Sequence, residues 1–216
     1  MKETPILFKP EKIRWIFEDR ASQTRRLIKM YHKKWCPWAY NEDDNSGYEW
    51  VEADPCFSGH DYRQPCRCIT CPYGRKGDLL WVKEGFAELA CNEIGQIVFG
   101  GPYIPPRTFV IYKADEKNPR DYLWKSPLFM PKKYARIWLE LVADPIPQRI
   151  QDITEEDIGK EIPLEQSGNF KGMFKTDEGF MSPFYAFELL WESINGKDSW
   201  KKNEWVWKLE FKKIEP

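Results

Sequence analysis

Lys83 and Glu84 stand side by side at the end of Gly77-Asp78-Leu79-Leu80-Trp81-Val82. A Gly-Asp turn releases that strand, and β-propensity accounts for Leu80, Trp81 and Val82. Folding alone does not ask for a cation and a carboxylate at its end, so the pair marks a candidate site. A hydroxyl to work with such a carboxylate is offered by Thr24. Thr24 and Glu84 together would suit amide hydrolysis, with one as nucleophile and the other as acid/base. The plainer alternative is a strand threonine and a glutamate paired with Lys83 or Arg26.

Two further groupings have chemical content. Arg25, Arg26, Lys29, Lys33 and Lys34 form a basic run beside Tyr31 and Trp35. Cations next to aromatic rings suit phosphate contacts with base stacking, and equally suit a solvated face balanced by the acidic 42–54 stretch. Cys66, Cys68 and Cys71, with Cys56, His60 or Cys36, offer enough soft ligands for a tetrahedral structural zinc. The single residue between Cys66 and Cys68 is tighter than usual ligand spacing, and free thiols are the other reading.

The elements that must position these residues follow from pattern. The chain has 216 residues, 42% of them hydrophobic and 31% charged, with a net charge of −1. That suffices for one core and supplies no global field for nucleic acid, so any such role rests on local patches. No apolar run approaches a membrane span, and the N-terminal MKETPILFKP lacks a secretory apolar region, so a cytoplasmic protein is expected. Pro10 opens a short helix bearing Ile13, Ile16 and Phe17. Residues 21–29 read as a polar loop leading into a strand, and 36–71 as an acidic, Cys-bearing insertion or long loop. Strands are expected at 96–99, 108–112 and 136–142, the last alternating Ile137, Leu139 and Leu141 against Arg136, Trp138 and Glu140. Thr154 caps a short helix, residues 163–181 read as mobile, and Ser182-Pro183 opens a helix with Phe184, Phe187, Trp191 and Ile194 on one face. Trp205, Trp207, Leu209 and Phe211 alternate with Val206, Lys208, Glu210 and Lys212 as a closing strand. Short strands with three short helices predict a single α+β domain over 1–216, a small mixed barrel and not a βαβ array.

Several of these segments, taken in order, resemble the phage-associated branch of the ASCH family. The matching pieces are Pro5-Ile6-Leu7-Phe8, Gln23-Thr24-Arg25-Arg26, Cys71-Pro72-Tyr73-Gly74 and Gly77 through Glu84. Tyr112-Lys113-Ala114-Asp115, Trp124-Lys125, Met130-Pro131 with Arg136, and Ile150-Gln151-Asp152-Ile153-Thr154 follow. Leu190-Trp191 and, beyond Asn203, Trp205-Val206-Trp207 complete the set. The resemblance implies a PUA-like β-barrel with short flanking helices, and a role in binding RNA or a modified nucleoside. Some small ASCH proteins are amidohydrolases that deacylate N4-acetylcytidine with a Lys, a Thr and a Glu. By the resemblance, Thr24 and Glu84 take two of those positions, while Ala21 stands where the signature has Lys. Hydrolysis is therefore not expected unless Lys83 or Lys125 reaches in, and Ala21→Lys is the change expected to restore it. The same resemblance puts Arg25, Arg26, Trp81, Trp124, Lys125 and Arg136 among the ligand-binding residues.

The sequence thus points first to an RNA- or modified-nucleoside-binding protein, with its cleft around Thr24, Arg26, Trp81 and Glu84. Deacylation of N4-acetylcytidine is the alternative. A non-catalytic phage assembly or host-interaction protein, using 36–71 as its partner surface, is a third.

Overall fold

The computed structural model describes residues 1–29, 35–41, 47–52, 67–91, 107–116, 122–164, 171–177 and 179–215, with the backbone alone described for 35–41, 47–52, 67–69, 90–91 and 107–108. In chain order the elements are β1 (Glu3–Leu7), α1 (Pro10–Phe17), β2 (Gln23–Leu27), β3 (Trp35–Asn41), β4 (Gly47–Glu52), β5 (Arg67–Ile69), β6 (Leu79–Lys83), β7 (Phe86–Cys91) and β8 (Arg107–Tyr112). Then come β9 (Trp138–Leu141), β10 (Ile146–Arg149), α2 (Glu155–Glu161), β11 (Phe174–Thr176), β12 (Gly179–Met181), α3 (Pro183–Asn195) and β13 (Trp205–Ile214).

The organising element is β13. Residues 206–210 pair with β2 and residues 205–208 with β10, while 211–214 pair with β9. One strand passing from one set of ladders to another curls the sheet, which runs β1-β6-β9-β13-β10 with β2 joined through β13. The result is a mixed α+β fold with a half-barrel sheet and three α-helices among the described residues. Alternation along β13 explains why both of its faces are covered. Trp207, Leu209 and Phe211 enter a core with Ile6, Leu80, Val82, Leu139, Leu141 and the α1 residues Ile13 and Ile16. Val206 enters a second core with Ile158, Phe187 and Trp191 from α2 and α3.

The helix caps fall where the sequence places them. The Thr154 hydroxyl accepts from the Asp157 N–H and the Ser182 hydroxyl from the Tyr185 N–H, satisfying donors that a first turn leaves open. Gly196 ends α3 at φ +96°, a conformation glycine adopts without a Cβ penalty.

Three expectations change. The 36–71 insertion is not simply a loop, because β3, β4 and β5 form their own antiparallel sheet within it. Within 163–181, expected to be mobile, Phe174–Thr176 and Gly179–Met181 pair as the antiparallel strands β11 and β12. Phe184 and Ile194 are exposed, and it is Ala186 that joins Phe187 and Trp191 on the buried face of α3. The strand expected at 96–99 lies outside the described residues. Among the described residues, no helix is long and apolar enough to cross a membrane.

Candidate functional site

β2 holds the centre of the site. The polar run Gln23-Thr24-Arg25 is buried, which only an arrangement of partners can sustain, and α2 supplies most of them. Asp157 and Glu161 sit four residues apart, hence on one face of α2, and both reach Arg25. The Arg25 guanidinium donates to Glu161 Oε2 at 2.5 Å and to Asp157 Oδ2 at 2.9 Å, and its backbone N–H donates to Glu161 Oε1 at 3.0 Å. Asp157 also accepts from Gln23 Nε2 at 3.1 Å and pairs with Lys208 at 3.0 Å. Burial pushes the Glu161 carboxyl up, but Lys12 and Arg25 outweigh it and hold the group below its ordinary range. Arg25 is therefore a structural cation, its charge already compensated by two carboxylates, and not the phosphate contact expected of it.

The unexpected member is Lys12. α1 lies so that this side chain points inward, donating to the carbonyl oxygen of Gln23 at 2.6 Å and to that of Glu161. Burial lowers its pKa to about 7, with Arg26 and Arg25 adding to the effect and Glu161 opposing it. An amine that is half neutral near pH 7 therefore sits beside β2. The sequence does contain a signal for it: Lys12 is four residues before Ile16 and next to Ile13, on the apolar face of α1.

Lys12, Thr24, Arg25, Arg26 and Glu161 line one cavity of about 300 Å³. Its walls are apolar, from Phe8, Trp15, Phe187 and Trp191, and Leu7, Leu27 and Ile194 stand exposed at its lining. Arg26 is half-buried. Its guanidinium donates to the carbonyl oxygen of Leu7 and lies 4.8 Å from the Phe8 ring centre, and its buried Nε has no hydrogen-bond partner. No carboxylate pairs with it among the described residues. The cavity thus joins an apolar body to a floor with a guanidinium that forms no ion pair among the described residues, an amine of low pKa and a hydroxyl.

The structure does not bring Glu84 to Thr24. Glu84 is 1% exposed, and both of its oxygens accept from Arg136, at 2.7 and 2.8 Å. Neither Lys83 nor Arg26 is its partner. Arg136 also binds Asp115 through two donors and lies 3.9 Å from the Tyr112 ring centre. Burial pushes the Glu84 carboxyl above its ordinary value, with Arg136 pulling the other way. Lys83 donates to the Leu128 carbonyl oxygen, and Lys125 pairs with Glu88, so neither amine enters the cavity. Trp124 lies edge-on to Tyr122 near that same side, and Trp81 is on the solvent face of the sheet. Ala21 is buried in the first core, where a lysine would have to displace apolar contacts. Lys12 brings an amine to β2 from α1.

Glu84→Gln should accordingly lower stability by about 2–3 kcal/mol, because it weakens a buried charge pair without emptying the space. Denaturant unfolding should show that loss while ligand affinity in the cavity is unchanged. A loss of affinity without a loss of stability would return Glu84 to the site.

Of the proposed zinc ligands, Cys56, His60 and Cys66 lie outside the described residues, and only the backbone of Cys68 is described. Cys71 packs against the first core as a free thiol, with burial pushing its pKa up to about 12. No group of metal-ligating side chains occurs among the described residues.

No protein-family model, curated protein or solved structure matches this chain.

Proposed function

We propose that this chain binds RNA or a modified nucleoside through the Lys12–Thr24–Arg26 cavity, on an ASCH-type, PUA-like barrel of phage origin acting in the cytoplasm. The observation that carries the reading is the composition of that cavity. Aromatic and aliphatic walls accept the flat face of a base, and Arg26, lacking a carboxylate partner among the described residues, is suited to a phosphate. The amine and hydroxyl beside it supply hydrogen bonds to the polar edge of a base. Calorimetric titration with N4-acetylcytidine 5′-monophosphate tests this directly. Saturable binding on the order of micromolar, weakened at least about tenfold by Arg26→Met, is expected. An absence of saturable binding by either that nucleotide or RNA would refute it.

A second reading is favoured by Lys12. A neutral amine can take the proton of the Thr24 hydroxyl as that oxygen adds to the amide carbonyl and give it to the cytidine amine as the C–N bond breaks, leaving an acetyl-threonine that water hydrolyses to acetate. Acetate release rising with pH through about 7, and lost in Thr24→Val, supports this reading. Binding with no acetate release leaves the first reading alone.

A further inference from the structure

The opposite surface of the sheet has a pattern that the cavity does not use. Leu80, Val82, Leu139 and Leu141 face the core, so Trp81 and Trp138 face outward, and the two are direct partners across β6 and β9. Pro5 on β1 and Ile214 on β13 extend the same row across four strands. Cations sit over the rings: Lys83 Nζ lies 5.4 Å from the Trp81 ring centre, and Lys132 Nζ lies 5.2 Å from that of Trp138. Lys132 is paired with Glu3, and Glu140, on the same outward face as Trp138, is paired with Lys212, whereas Lys83 forms no ion pair among the described residues. Phe129 stands 77% exposed on the adjoining turn.

This row is continuous with the cavity. Leu7 lines the cavity and is the register partner of Lys83. Pro127 lines it too, and the next residue, Leu128, accepts a hydrogen bond from Lys83 at 2.6 Å. A chain leaving the cavity past Leu7 and Pro127 therefore meets Lys83, then Trp81, then Trp138.

We propose that this outward row is a track for single-stranded RNA, so that the partner is an oligonucleotide with one nucleotide in the cavity and its neighbours laid over Lys83, Trp81 and Trp138. The inference rests on the nucleoside reading of the cavity. Stacking rings give affinity for any base, and Lys83, which forms no ion pair among the described residues, meets a phosphate. On a chain whose net charge is only −1, a row of aromatic faces carrying Lys83 without an ion pair among the described residues fits a polyanion with planar groups.

The test compares cytidine 5′-monophosphate with a fluorescent oligocytidylate RNA of roughly eight nucleotides. The oligonucleotide should bind at least about tenfold tighter. Trp81→Ala with Trp138→Ala should bring its affinity down to that of the mononucleotide, and mononucleotide binding should be unaltered. Lys83→Gln, which disturbs no core packing, should flatten the salt dependence by about 0.7 for the phosphate no longer neutralised. Equal affinity of the two ligands for the parent protein overturns the track and leaves the cavity reading standing. Oligonucleotide binding that needs the tryptophans but is indifferent to Arg26→Met overturns the cavity reading and leaves the track.

Discussion

Arg25→Met should cost about 3–5 kcal/mol of stability, because it leaves Glu161 and part of Asp157 buried without their guanidinium. The substitution keeps most of the side-chain volume, so the loss is electrostatic and not a cavity effect. Adding Glu161→Gln should recover part of it, since the second change removes the stranded charge. Denaturant unfolding of the two single variants and the double variant makes a cycle that isolates the pair. A loss below about 1 kcal/mol for Arg25→Met would mean that water or Lys12 already compensates Glu161.

Lys12→Met is expected to have the largest effect on function. Ligand affinity or turnover measured across pH should change course near 7 in the parent protein, and should be flat and at least about tenfold weaker in the variant. Stability provides a second readout with a definite sign. The folded amine titrates at about 7 and the unfolded one near the ordinary lysine value of 10.5. Between those values the unfolded chain binds more protons, so the parent protein gains stability as pH rises through that window. Below it the buried charge is a full penalty, and Lys12→Met should be the more stable protein. An unchanged slope of unfolding free energy with pH in the variant would show that Lys12 is charged and well solvated.

Lys12 is hard to see in the sequence for a physical reason. α1, α3, β9 and the Thr154 cap all announce themselves locally, through periodicity, Pro at a helix start or a capping hydroxyl. Their cores involve residues whose type matches their burial. Lys12 and Glu161 instead have a type that argues for solvent, and only their positions beside Ile16 and Ile158 on helix faces betray them. Thr24 and Arg26 are candidates by type and order along the chain, and the cavity does collect them. Glu84 suggests the same site because it follows a strand with a lysine. Its true partner, Arg136, lies 52 residues away and enters through the turn before β9. Sequence spacing carries no information about such a pairing. The same holds for β1, β7 and β10, which are too short or too mixed in composition to alternate clearly, and which exist because a neighbouring strand accepts them.

β2 has one further consequence. Among the named strands it is held by β13 alone, in a register that brings Gln23 opposite Glu210, 187 residues along the chain. The β11–β12 pair closes a short stretch of chain, whereas this ladder closes a long one and carries the larger entropic cost. The Thr24–Arg26 side of the cavity therefore depends on the ladder with the largest sequence separation among the described strands. Without β13 the strand that carries Thr24 and Arg26 has no partner among the described strands, although β13 itself lends the cavity no lining residue.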